Sequence, residues 1–196
     1  MSLRHRINLR RLNKGDPEAF AQLFDWHGEK LFRHIYYRVS NREIAQDLTS
    51  QTFLKVWEYI IRLQVREGDS VSGHTVKPIE NSTAFLYRTA RNLIIDYYRS
   101  KKFEAVTLTE EMEEVLAGSD DTIRGIDHQF NIRRIVQAMS VLKEQDQELV
   151  LMRYVNELSM KDVIAITGLN ENTIAIRLHR ALRTLRQTIE KQEPLL

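Results

Sequence analysis

The stretch SMKDVIAITGLNENTIAIRLHRALRTLR, residues 159–186, decides the fold of the second half of the chain. Ser159, with Asp162 three residues later, is a capping-box start for a short helix. Gly168 follows the last apolar residues of that helix, at about Ile166, and suits a left-handed C-terminal position. The pattern therefore predicts a short first helix that ends in a tight turn.

A second helix follows the turn, with Asn170 as its expected N-cap and Glu171 as its first residue. Its apolar positions recur at steps of three and four, which is typical of one buried face: Ile174, Leu178, Leu182 and Leu185. Two helices at this spacing predict a helix-turn-helix, whose second helix normally lies in the DNA major groove. A helical hairpin with a solvated arginine face is the alternative. The candidate DNA contacts lie on the other faces of the second helix: Asn172, Thr173, Ala175, Ile176, Arg177 and Arg180.

Composition favours helices and excludes several kinds of site. Of 196 residues, 42% are hydrophobic and only 7 are Gly and 3 Pro, which is enough apolar material for compact helical cores. The absence of cysteine excludes disulfides and thiolate metal sites. No apolar run reaches the roughly 18 residues of a membrane span, and the basic N-terminus lacks the apolar core of a signal peptide. We therefore expect a soluble cytoplasmic protein.

Charge is unevenly distributed along a chain whose net charge is only +2. Residues 1–102 carry 18 Lys and Arg against 11 Asp and Glu, and residues 132–196 carry 10 against 8. Residues 103–131 between them carry 1 against 8. Two basic blocks around an acidic segment indicate a nucleic-acid footprint and a separate linker. We predict an all-α protein with two small helical domains, at 1–102 and 132–196, joined by a flexible acidic linker.

The first block predicts three packed helices. Asp16 before Pro17 marks the start of the first helix, and Ser40 with Glu43 is a capping-box start for the second. A polar stretch with Gly, Ser and Pro at 64–82 predicts a loop. The third helix is expected from about Thr83 to Ser100. In the second block, two further helices are expected before the helix-turn-helix, near 131–141 and 144–154.

The third helix carries a cluster of cations along one side and its exit: Arg88, Arg91, Arg99, Lys101 and Lys102. Lysine and arginine gain affinity from phosphates because they release counterions. Asn92 and Asp96 can hydrogen-bond base edges, and Tyr97 or Tyr98 offers a stacking face for an unpaired base. Two alternatives stay open, namely that Tyr97 belongs to the core and that Asp96 is an ion-pair partner of Arg99 or Arg91.

Several segments together resemble a bacterial sigma factor of the extracytoplasmic-function (ECF) type, in the sigma-70 family. Their order, their spacing and the charge layout make the resemblance specific. The matching stretches are GDPEAFAQLF at 15–24, AQDLTSQTFLKVW at 45–57, AFLYRTARNLIIDYYRSKK at 84–102, and LVLMRYVNELSMKDVIAITGLNENTIAIRLHRALRTLR at 149–186. The resemblance implies a factor that binds core RNA polymerase and directs promoter-specific transcription initiation.

The resemblance also implies a role for each part. Residues 1–102 resemble sigma region 2, which binds the β′ clamp helices and recognises and melts the −10 element. Residues 132–196 resemble region 4, which binds the β flap and reads the −35 element. The cations and polar residues of the third helix become −10 contacts, and those of the helix-turn-helix become −35 contacts. The implied clamp contacts are Asp47, Leu48, Gln51, Phe53 and Lys55. The linker would run toward the RNA path, either as a charge mimic of RNA or as a plain solubilising spacer.

Some residues depart from the family pattern. Recognition helices of the family usually carry Lys-Ser where this chain has Ala175 and Ile176. The change removes a cation, and three consequences stay open: weak autonomous −35 affinity, contact of Ile176 with a thymine methyl, or packing of Ile176 on a partner protein. An anti-sigma factor or an accessory recruiting protein is a further partner that the resemblance admits. Phe85 replaces the usual tryptophan, and the 64–82 loop is longer than usual.

The sequence also admits two other classes of function. A stand-alone helix-turn-helix regulator would need a self-complementary surface for paired half-sites, and no coiled-coil heptads support one. An enzyme acting on nucleic acid would need clustered carboxylates for metals or an activated nucleophile. The acidic residues concentrate in the linker, so we expect no catalysis, no metal and no cofactor. The histidines are scattered: His5, His27, His34, His74, His128 and His179.

Overall fold

The computed structural model describes residues 3–65, 77–105 and 139–192. Within these ranges the chain is helical and contains no strand, which confirms the all-α prediction. The N-terminal body consists of α1 (Leu3–Asn13), α2 (Pro17–Val39), α3 (Arg42–Val65) and α4 (Ser82–Ala105). The C-terminal body consists of α5 (Glu144–Val150), a π-helical turn (Leu151–Val155), α6 (Met160–Thr167) and α7 (Glu171–Gln192).

Local capping sets most helix starts. Asp16 accepts two amide hydrogen bonds from the first turn of α2, at 2.9 and 3.3 Å, as expected of aspartate before an N1 proline. Asn81 caps α4 in the same way, because its side-chain oxygen accepts from the Ala84 amide at 2.9 Å. The third predicted helix is therefore confirmed, with ends at Ser82 and Ala105.

The predicted capping box at Ser40 is wrong. Ser40 has φ 54° and ends α2, with its amide donating to the Tyr36 carbonyl. Asn41 caps α3 instead, since its side-chain oxygen accepts from the Ile44 amide at 3.0 Å. Only two residues separate α2 from α3, so Ser40 must reverse the chain direction, and Asn41 is then the residue in position to cap.

Helix α1 is not predicted by the sequence pattern, because few apolar positions stand among its arginines. Leu12 is buried in the core, and the Asn13 side chain forms a two-way clamp with Ile79. The Asn13 amide nitrogen donates to the Ile79 carbonyl at 2.8 Å, and the Ile79 amide donates back to Asn13 at 2.8 Å. This clamp fixes residues 77–81 before α4. The loop predicted at 64–82 starts later than expected, because α3 extends to Val65, and its remaining part lies outside the described residues.

The helix-turn-helix prediction is confirmed in detail. Ser159 accepts from the Asp162 amide at 3.2 Å and caps α6, and Gly168 ends it with φ 72°. The Asn170 side chain accepts from the Thr173 amide at 2.8 Å and caps α7. The helix expected near 144–154 is α5 with its π turn. Most of the helix expected near 131–141, and the acidic linker beyond Ala105, lie outside the described residues.

The two bodies pack against each other. Helix α4 lies against α6, and α2 lies against the π turn. Asn81 at the start of α4 donates to the Asp162 carboxylate on α6 at 2.8 Å. Lys30 on α2 faces Glu157, which follows the π turn, at 3.7 Å. The contact between the bodies therefore joins α4 of one to the helix-turn-helix unit of the other.

Candidate nucleic-acid interface

Helix α4 presents a row of exposed polar side chains. Arg88, Asn92, Asp96 and Arg99 follow one another at steps of four, four and three, and all four are exposed. Residues at these steps share one face of a helix. Lys101 is also exposed, but it lies one turn after Tyr97, on another side of the helix. The row itself combines two cations with an amide and a carboxylate, which suits phosphates and base edges together.

Arg91 does not join that row. Its guanidinium nitrogen Nε lies 2.9 Å from the Glu148 carboxylate on α5, in the other body. Glu148 is itself buried, so the pair sits at the joint between the bodies. The predicted −10 contact at Arg91 is therefore already occupied by a protein partner in this conformation.

The alternatives for Tyr97 and Asp96 both have structural support. Tyr97 is partly buried against the core, and its ring lies 5.3 Å from that of Tyr98 and 5.8 Å from Lys101 Nζ. Asp96 lies 3.8 Å from Arg99 and forms an exposed i,i+3 pair. The Lys102 side chain lies outside the described residues.

The helix-turn-helix divides its six predicted contacts in two groups. Asn172, Ala175, Ile176 and Arg180 are exposed on α7, with 45% of Ile176 accessible. Thr173 is partly buried beside the N-cap.

Arg177 turns away from that exposed group, toward α5. Its Nε lies 2.7 Å from Asp146, and Nη2 donates to the Gln145 side chain at 3.1 Å. Both members of the Arg177–Asp146 pair are mostly buried. Arg177 therefore ties α7 to α5, and Arg180 is the cation left on the exposed side of the first three turns.

The predicted clamp contacts on α3 also divide. Asp47 and Lys55 are exposed, and Gln51 donates to Asp47 at 2.7 Å. Leu48 and Phe53 are 5% and 4% exposed and belong to the core, so in this structure they are not surface residues. The reason is helical phase, because positions one residue beyond Asp47 and two beyond Gln51 turn inward.

Sequence reasoning missed the exposed apolar residue of this face. Leu54 is 57% exposed and lies three positions after Gln51, which puts the two on one side of α3. An open groove of about 470 Å³ lies between α2 and α3, lined in part by Phe24, Phe32 and Ser50, and Ser50 stands one turn before Leu54. The phase of the helix alone would have selected Leu54.

A buried polar group joins the bodies at His34 of α2. Its Nδ1 lies 2.9 Å from the Asn156 side-chain oxygen, and the Asn156 nitrogen donates to the Lys30 carbonyl at 2.9 Å. Burial lowers the pKa of His34 to about 4, against the opposing effect of the hydrogen bond to Asn156. A cavity of about 160 Å³ adjoins the ring, lined in part by Arg38, Arg91, Glu144 and Glu148.

No group of three metal-binding side chains comes together in the described ranges. None of the helices described is both long and apolar enough to cross a membrane.

Comparison with known proteins identifies the family. Residues 23–104 match the model for Sigma-70 region 2, and residues 132–185 match that for Sigma-70 region 4. The ECF RNA polymerase sigma factor BldN of Streptomyces coelicolor is 31% identical over 178 residues, which cover 89% of this chain and 62% of BldN. SigW of Bacillus subtilis is 22% identical over 200 residues, covering 96% of this chain and 98% of SigW.

A solved structure supports the fold. CnrH, determined in complex with the cytosolic domain of CnrY, is 18% identical and superposes with a TM-score of 0.68 over 96% of this chain and 98% of CnrH. The two region matches together span more than half of this sequence. The chain belongs to the sigma-70 family, as an RNA polymerase sigma factor of the ECF type, and the stand-alone regulator is not favoured.

Proposed function

We propose that this sigma factor binds core RNA polymerase through α3 and the C-terminal body, and places two separate faces on promoter DNA. The proposal keeps the predicted limits: an N-terminal domain at 1–102, a linker at 103–131 and a C-terminal domain at 132–196. The observation that supports it most is the exposed row on α4, Arg88 to Arg99, in a chain that also carries a capped helix-turn-helix. The factor contributes binding rather than a catalytic step, and it acts in the cytoplasm with the polymerase.

At the −10 element, Arg88, Arg99 and Lys101 bind phosphates, because they are exposed and cationic. Asn92 is the base-edge reader, since its amide stands on the same exposed row. Arg91 and Lys102 extend the cationic track when the C-terminal body leaves. Tyr97 contributes only the exposed part of its ring, and Asp96 orients Arg99.

At the −35 element, the C-terminal body reads DNA weakly by itself. Arg177 is held by Asp146 and is not available to a phosphate, so Arg180 supplies the nearby positive charge. Ile176 presents an exposed branched side chain that fits the methyl group of thymine. Polymerase, or an accessory protein that packs on Ile176, then supplies the remaining affinity.

Polymerase binding uses the face of α3 that the structure leaves open. Asp47, Gln51 and Lys55 provide polar contacts, and Leu54 provides an apolar anchor of the kind that dominates protein interfaces. The groove between α2 and α3 continues that face. The same surface is available to an anti-sigma factor that would compete with polymerase, a partner we propose from the family.

The packed arrangement is a closed form that must open on a promoter. The −10 and −35 elements are about 25 base pairs apart, which at about 3.4 Å per step is roughly 85 Å along B-DNA. Bodies joined by direct hydrogen bonds, such as that of Asn81 with Asp162, cannot reach both elements at once. Opening also releases Arg91 from Glu148.

Runoff transcription tests the proposal directly. Purified core polymerase with the full chain is given a random promoter library, and the transcripts are sequenced. We expect transcripts that share two conserved elements at one fixed spacing. Failure of the purified chain to associate with core polymerase would contradict the proposal.

A further inference from the structure

The joint between the two bodies is centred on an uncharged histidine. His34 is 1% exposed, and it comes from α2, whereas its partner Asn156 comes from the end of the π turn 122 residues later. We propose that His34 and Asn156 form a proton-sensitive latch, which holds the bodies together at neutral pH and releases them when the histidine is protonated.

The hydrogen bonds of Asn156 define which histidine nitrogen carries the proton. The Asn156 nitrogen donates to the Lys30 carbonyl at 2.9 Å, so the amide oxygen is the atom that faces His34. That oxygen can only accept, and Nδ1 must therefore be the protonated nitrogen. Nε2 of the neutral ring is left as the site that a further proton would take.

The groups around the ring give the positive charge of a protonated His34 little compensation. Arg38 of α2 and Arg91 of α4 line the cavity beside the ring, and the Tyr87 ring of α4 lies edge-on at 5.2 Å. Lys30 and Arg33 precede His34 on α2. From the C-terminal body come Glu144 and Glu148, which are already paired with Arg38 and Arg91, and Glu157, which faces Lys30. A protonated His34 would thus be a buried charge whose nearest carboxylates are engaged.

The direction of the pH effect follows from burial. In the closed form the pKa of His34 is about 4, and in the open form the ring meets water and returns to its ordinary value of 6.5. Above pH 6.5 both forms are neutral, so the latch contributes fully; as pH falls toward 4, protons bind the open form preferentially and the contribution is lost. The closed-to-open ratio is expected to fall roughly 4-fold by pH 6 and roughly 30-fold by pH 5.

The distance between the bodies is the direct readout. The chain has no cysteine, so Arg10→Cys on α1 and Arg183→Cys on α7, both at exposed positions, would be the only sites that react with a donor and an acceptor dye. Energy transfer in the full chain is then measured from pH 7.5 to pH 5.0, above the usual range of carboxylate titration. We expect high transfer at pH 7.5 and a progressive loss below pH 6.5.

Three variants test whether the pH dependence of energy transfer arises from His34. His34→Gln cannot gain a proton, so its transfer should not change over this pH range. His179→Gln, at an exposed histidine of α7, is the matched control and should behave as the parent chain. Asn156→Asp places a carboxylate beside His34, which favours the protonated ring in the closed form; its transfer should rise or hold as pH falls.

The outcomes decide the matter even if a variant is unstable. Equal transfer by the parent chain at pH 7.5 and 5.0 would overturn the proposal. So would a His34→Gln chain that starts closed and opens with the parent's pH profile. If His34→Gln is open throughout, the pH dependence of energy transfer is compared between the parent chain and Asn156→Asp. Opposite slopes of transfer against pH support the latch, and parallel slopes exclude it.

Discussion

Arg91 of α4 and Glu148 of α5 lie 2.9 Å apart across the joint between the two bodies. The arginine comes from the helix that we assign to the −10 element, and the glutamate from the body that we assign to the −35 element. One ion pair thus links masking of a DNA contact to closure of the chain, so that binding at one site and separation of the bodies are coupled.

Glu148→Gln is expected to open the chain in part. The change removes the charge that holds Arg91, and because Arg91 is about a third exposed the closed form should lose only about 1 kcal/mol. Energy transfer between the dyes should fall, and affinity for −10 DNA in the presence of polymerase should rise a few-fold. Glu157→Gln is the control, since its contact with Lys30 is 3.7 Å and exposed; an equal effect of both changes would argue against a specific role for Glu148.

Arg180→Ala and Arg177→Ala are expected to differ. Arg180 is exposed, so its loss should weaken promoter binding at all sequences and reduce the salt slope by about one. Arg177 is paired with Asp146 inside the C-terminal body, so its loss should instead lower the free energy of unfolding by about 1–2 kcal/mol. Salt-dependent binding and thermal unfolding of both variants measure the two effects. A flattened salt slope for Arg177→Ala without loss of stability would place Arg177 on DNA.

Ile176 should distinguish thymine from uracil. The side chain is 45% exposed and branched, and burial of one methyl group against it contributes about 0.8 kcal/mol, or roughly 4-fold in affinity. Replacing single −35 thymines by uracil should therefore weaken binding of the polymerase complex several-fold at one position. With Ile176→Ala, that difference should disappear. If the parent chain ignores the methyl at every position, Ile176 faces a protein partner or solvent.

Leu54→Glu is expected to weaken core polymerase binding without unfolding the chain. Leu54 is 57% exposed beside Gln51, so a charge there costs little in the free protein but disrupts an apolar contact. Ile7→Glu on α1 is the matched control, because Ile7 is 52% exposed in the same body. Phe53→Ala, by contrast, should lower the free energy of unfolding by about 3–5 kcal/mol, since Phe53 is buried. Normal polymerase affinity of Leu54→Glu would remove this face from the interface.

Features fixed by near neighbours in the sequence were predictable. The caps at Asp16, Ser159 and Asn170 and the turn at Gly168 each depend on residues within a few positions, and all four are present. The helix-turn-helix follows from them. Ser40 shows the limit of such patterns. It ends α2 in the sharp turn before α3, and Asn41 caps α3 instead.

Features that depend on distant partners were not predictable. Arg91 meets Glu148 57 positions later and His34 meets Asn156 122 positions later, and no periodicity relates such pairs. The helix pattern placed Arg177 among the candidate DNA contacts, yet its hydrogen bond to Asp146 holds it within the C-terminal body. The assignment of Leu48 and Phe53 to a surface came from the resemblance, whereas both lie inward on α3 and Leu54 is exposed.

The most direct test of the account follows the distance between the bodies during assembly. Dyes at Arg10→Cys and Arg183→Cys report energy transfer in the free chain, after addition of core polymerase, and after addition of promoter DNA. The account predicts high transfer in the free chain and a large loss in the complex that makes transcript. Transfer that stays high in that complex would show that the closed form is itself active, and would contradict the central claim.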